Sequence, residues 1–154
     1  MEPAGFDPSG IDAAERARRV QTVVHTALLA GVGIYAVLLL FLRSEIAVAT
    51  PVPPGTGLFL VLAAIGAAQY AAAGAIGRTF LRSRRARPLD RVRIFFLLRG
   101  AAAEAIALYG LVFGFLGGAA AQVGVLFAIA LAALAASVPG KASWEAALRQ
   151  AEAA

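Results

Sequence analysis

The chain contains no cysteine. That removes disulfides, thiolate metal sites, iron–sulfur clusters and cysteine nucleophiles together. It has one histidine, His25, too few for a multi-histidine metal centre within one chain. Charge is scarce as well. Only 15% of residues are Asp, Glu, Lys or Arg, against about 25% in an ordinary soluble domain. No strand-like alternation, no glycine-rich phosphate loop after a strand and no serine–histidine–acid set is visible, so nothing argues for an enzyme. What remains is apolar: 60% of the 154 residues are hydrophobic and the mean hydropathy is +0.79. A soluble fold of this size leaves too much surface exposed to hide that composition. An all-α integral membrane protein is expected.

A membrane-crossing helix needs about 20 mostly apolar residues. Four stretches qualify, at about 20–42, 57–80, 92–116 and 119–138. The last two form one apolar run too long for a single crossing, and Gly117-Gly118 supplies the break. Pro51, Pro53, Pro54 and Gly55 make a stiff loop before the second span. The first apolar run is longer than the roughly 7–15 residues of a leader's apolar region, so it reads as a retained span.

The basic residues set orientation. Arg16, Arg18 and Arg19 precede span one. Arg78, Arg82, Arg84, Arg85, Arg87, Arg91 and Arg93 cluster between spans two and three, and Lys141 and Arg149 follow span four. With four spans these twelve fall on one side, Arg43 alone falls on the other, and Arg99 lies inside a span. The positive-inside rule then places both termini in the cytoplasm of a bacterial-type inner membrane. The domain plan is a segment 1–19, a four-helix transmembrane bundle 20–138 and a tail 139–154. Nucleic acid is not an expected partner, because a basic loop of this kind, at Arg78–Arg93, is ordinary topology and attraction to anionic lipid headgroups. The net charge of +5 is read in the same way.

At the ends, Asp12 with Glu15 three residues on fits a capping box opening a short interfacial helix. The tail has Ser143 as a possible cap, and is either a short amphipathic helix or solvated chain. Trp144 is expected as an interface anchor at headgroup level.

Spans in lipid associate through small residues. Span two carries alanine at 63, 67, 71 and 75, and span three carries Gly110 and Gly114 four apart. These are expected packing faces, and some could serve a homo-oligomer or a larger membrane-protein complex.

Two ionisable residues lie within span three. Arg99 is near enough to the arginine-rich end to snorkel and act as an interface anchor. Glu104 is close to mid-depth, where a charge costs at least a few kcal/mol. It should be protonated, paired or facing a polar cavity. Arg99 is five residues away, about 140° around the helix, so direct pairing is not expected. Gln69 and Tyr70 share its depth in an antiparallel hairpin, and both can hydrogen-bond a carboxyl group. The set Glu104, Gln69 and Tyr70 is therefore the candidate ion-binding site, with Glu104 serving as structural glue, as a proton-binding group, or as part of a site for a pigment, lipid or other ligand. No catalytic residue, metal site or cofactor is expected.

The segment "RGAAAEAIALYGLVFGFL" resembles the carboxylate helix of the proteolipid c subunits of rotary ATPases, where an acid and a following Tyr-Gly come after a basic, proline-containing loop. The loop here is "RSRRARPLDRVR". The resemblance spans about 57–117 and is specific over 99–117. It implies Glu104 as the ion-carrying carboxylate, and with Ala105 after it in place of a serine or threonine, a proton as the ion. Spans one and four have no counterpart in a two-helix hairpin. The chain as a whole also looks like bacterial four-span membrane proteins without an assigned activity.

Overall fold

The computed structural model describes residues 8–49, 54–84 and 86–154, with side chains described from 12–42, 54–84 and 86–154. The proline loop at 50–53, the first seven residues and the side chains of Arg43 and Arg85 lie outside this set. The described chain is five helices: α1 (Pro8–Ala49), α2 (Thr56–Leu81), α3 (Pro88–Phe115), α4 (Ala120–Ser137) and α5 (Lys141–Glu152). Stretches of α1 to α4 are long and apolar enough to cross a membrane.

The helix ends follow local chemistry. Arg87 is extended and Pro88 opens α3, a position where the missing N–H costs nothing. This starts α3 one turn before the apolar run. Its other end is a Schellman motif. Gly117 N–H bonds to Gly114 O at 3.0 Å and Gly118 N–H to Phe113 O at 3.0 Å. Gly117 has φ 83°, and a Cβ on Gly118 would lie 2.3 Å from the Phe113 ring. Both glycines of the expected break are thus required, for different reasons.

Two expected caps are not used. α1 runs unbroken through Asp12, which therefore lies inside the helix. Its 42 residues make a rod of about 63 Å. Glu15 instead holds Arg18 Nη2 at 2.8 Å and Arg19 Nε at 3.1 Å. Gly140 caps α5, and Ser143, inside the first turn, donates its hydroxyl to Gly140 O at 2.9 Å.

α3 is the hub. It packs against α1, α2, α4 and α5, while α1 and α2 lean on α3 rather than on each other. The registers give direction. His25 and Leu28 lie beside Gly100, and Leu39 lies beside Gly114, so α1 and α3 run parallel. Gly77 lies beside Phe95 and Gly66 beside Ile106, so α2 runs antiparallel to α3. Gly110 admits Leu126 and Phe127 of α4. On α2 the packed small residues are Gly66, Ala73, Gly74 and Gly77, whereas Ala67, Ala71 and Ala75 of the expected stripe are exposed. Glycine wins the interface because it allows the closer backbone approach.

A second core closes the arginine-rich end. Ala17 of α1, Leu81 of α2, Val92 and Phe96 of α3, and Trp144, Ala147 and Ala151 of α5 form it. α5 is therefore a docked helix, not a solvated tail.

Candidate functional site

The three residues expected to meet at mid-depth are not brought together. Glu104 turns towards α1, where the Tyr35 hydroxyl donates to its Oε1 at 3.0 Å. Gly31 makes the niche, since a Cβ there would stand 3.2 Å from the same oxygen. Gln69 instead accepts a hydrogen bond from the Tyr109 hydroxyl at 2.6 Å. The Tyr70 hydroxyl accepts from Arg99 Nη2 at 2.7 Å and donates to Ala133 O at 3.2 Å. Matching depth gave the wrong partner because depth is only one coordinate. Tyr109 and Glu104 are five residues apart, about 140° around α3. The first faces α2 and the second faces α1.

The two ionisable groups within the apolar part of α3 thus each have a tyrosine from a different helix. Tyr35 serves Glu104 and Tyr70 serves Arg99. The Arg99 guanidinium also lies 5.4 Å from the Tyr70 ring centroid and 5.7 Å from that of Phe95, within cation–π range. Arg99 is thus held inside the helix assembly. Trp144, expected at headgroup level, is 2% exposed and stacks on Phe96 with centroids 5.6 Å apart. The apolar face of α5 buries it in the end core instead.

The α1–α3 seam carries further polar side chains that composition and depth alone do not single out. Gln21 and His25 are buried. His25 Nδ1 lies 3.0 Å from Gln21 O, and because a carbonyl can only accept, that nitrogen is the donor. Among the described residues, neither His25 Nε2 nor Gln21 Nε2 has a hydrogen-bond partner. The signal for them was present: 21, 25, 28, 32 and 35 are one helical face. Gly100 makes room for the imidazole, since a Cβ there would lie 3.0 Å from His25 Nε2.

In the sequence Arg91 reads only as a loop charge, yet it is 5% exposed. Its Nη1 donates to Leu81 O at 2.9 Å and Ser83 O at 2.6 Å, and its Nη2 to Ala151 O at 2.6 Å. One guanidinium therefore ties the ends of α2 and α5 together. Beyond the apolar run, the guanidinium groups of Arg18 and then Arg19 hold the Glu15 carboxyl down to about 2, against a small opposing push from desolvation. Among the described residues, no group of three or more His, Asp or Glu side chains is placed to hold a metal ion.

Comparison with protein-family models, curated proteins and solved structures finds no match.

Proposed function

We propose that this chain is a small multi-pass protein of a bacterial-type inner membrane, with both termini and the arginine-rich end in the cytoplasm. In that orientation the loop Arg78–Arg93 meets anionic headgroups. Its role is that of a non-catalytic structural or accessory subunit in a membrane complex, or of a protomer in a homo-oligomer. The observation that carries this reading is the outward flank of α2. Ala67, Ala71 and Ala75 are exposed there, and so is Gln69 with its bond to Tyr109. A polar pair at mid-span is poorly matched to hydrocarbon and well matched to another protein helix. Native mass measurement in mild detergent tests it. A companion protein or a defined oligomer is expected, and conversion to monomer by Gln69→Leu would locate the face. A wild-type chain that is monomeric and alone, in both detergent and nanodiscs, would overturn the role.

A second reading is a proton-binding carboxyl at Glu104, as the resemblance to c-subunit proteolipids implies. It is favoured by the single tyrosine partner of Glu104 and by the lack of any ion pair to it among the described residues. A hydrophobic carbodiimide is expected to label wild-type protein and not Glu104→Gln. Absence of labelling, with unchanged stability of Glu104→Gln, would remove this reading.

A further inference from the structure

Among the described residues, Arg99 is a cation without a counter-ion: no carboxylate lies within ion-pair distance of it. Asp90, on the same helix, faces Arg93 at 3.8 Å, and Glu104 is turned to Tyr35. A guanidinium has five N–H donors, and the Tyr70 oxygen takes one of them. Aromatic faces offset part of the charge but accept no strong hydrogen bond. A charge left in this state inside a span is expensive.

The same guanidinium lines a groove of about 290 Å³. α5 forms one side of it, with Gln150 as the other side chain able to donate a hydrogen bond; the Ser143 hydroxyl there is already given to Gly140 O. The rest of the wall is hydrocarbon, chiefly Leu81, Phe95, Phe96 and Val138. The groove is many times the roughly 30 Å³ that one water occupies, and its apolar walls offer water few partners. The lining therefore presents two N–H donor groups, one of them charged, and is otherwise oil apart from Ser143. An inorganic anion would satisfy the first and leave the second dry. An amphiphile with a phosphate head satisfies both. Arg99 sits about 10 Å inside the span, below the headgroup plane, so a phosphate that meets it is drawn in beneath α5.

We infer that this groove binds one phospholipid, with its phosphodiester on Arg99, Gln150 as a second donor, and acyl chain along Phe95, Phe96 and Val138. The site rests on the membrane reading alone and needs neither the accessory role nor a proton at Glu104. It differs from diffuse attraction at the arginine loop in being stoichiometric and in having shape.

The test is native mass spectrometry of the purified protein titrated with phosphatidylglycerol. One retained lipid per chain is expected. Arg99→Gln should weaken retention by about tenfold or more, the worth of a charge-assisted bond, and Arg99→Lys should recover part of it. Gln150→Leu, on the half-exposed face of α5, should weaken retention while leaving Trp144 fluorescence unchanged, so it decides the matter if Arg99→Gln does not fold. Diacylglycerol with the same chains, and inorganic phosphate at millimolar concentration, should both fail to displace the lipid. Wild-type retention by a folded Arg99→Gln, or by Gln150→Leu, overturns the inference. Displacement by diacylglycerol would mean a chain groove without phosphate recognition, and displacement by phosphate would mean a soluble anion site. Either result rejects the phospholipid.

Discussion

Replacing Arg91 with methionine removes the fastener of the arginine-rich end while keeping most of its apolar stem. The wild-type guanidinium makes three hydrogen bonds, to Leu81 O, Ser83 O and Ala151 O. A bond from a charged donor contributes about 1.5–3 kcal/mol. Two of the acceptors are carbonyls at helix C-termini, where a cation also meets the negative end of the dipole, at about 0.3–1 kcal/mol each. Only the bond to Ala151 O crosses to α5, so at the low end of the range the loss on docking of that helix is about 2 kcal/mol. The ratio of docked to undocked helix then drops by roughly thirtyfold. The chain has one tryptophan, and it is the Trp144 that docking buries against Phe96. Its emission and its quenching by acrylamide therefore report α5 directly. Across a urea series, Arg91→Met should expose Trp144 at a clearly lower concentration than wild type, with helix content by circular dichroism mostly retained. Arg91→Lys should fall between them, since one ammonium cannot span both helix ends as a planar fork does. A quenching transition in Arg91→Met that superimposes on wild type would refute the reasoning, and would assign docking of α5 to its apolar face alone.

Gly117→Ala should lower thermal stability in detergent by about 1–2 kcal/mol, the cost of a side chain in the left-handed region, because Gly117 sits at φ 83°. Gly124→Ala, where a Cβ meets nothing within 4 Å, should be neutral or slightly stabilising in the same assay. Gly110→Val should cost about 1–3 kcal/mol by overpacking against α4, since the first added carbon already lies 3.2 Å from Leu126. Ala71→Val, on the exposed flank of α2, should leave monomer stability unchanged; a loss as large as that of Gly110→Val would show that the flank is packed.

Much of the helical plan is legible in the chain, because apolar runs of bilayer length and a one-sided arginine distribution are strong signals. The Gly117-Gly118 break was legible for the same kind of reason: two adjacent glycines at the end of an apolar run have few other uses. Angular position was not. Depth can be counted along a helix, but which neighbour a residue faces depends on how each helix is rotated about its own axis. Span three alternates small residues on every side, so no face announces itself. That is why Glu104 was assigned to α2 and is found against α1. Burial of Arg91 and Trp144 was hidden for a different reason. Arginine and tryptophan near a span end usually read as interface groups, and only docking of α5 makes them core.

The separation of Arg99 from Glu104 leads to a prediction of its own. An acid and a base on one helix pair when three or four residues apart. At five apart they are offset by about 7.5 Å along the axis and 140° around it, and each is served by a tyrosine from a different helix. With no shared partner, the stability effects of Arg99→Gln and Glu104→Gln should add within about 0.5 kcal/mol in a double-mutant cycle. The corresponding cycle on Tyr35 and Glu104, using Tyr35→Phe and Glu104→Leu, should show coupling of about 1 kcal/mol, the ordinary worth of one hydrogen bond. Reversal of this order, with Arg99 and Glu104 coupled more strongly than Tyr35 and Glu104, would mean that the two ionisable groups compensate each other across α3. The carboxyl would then be a counter-charge for the arginine, and both the lipid site and the free acid would lose their physical basis.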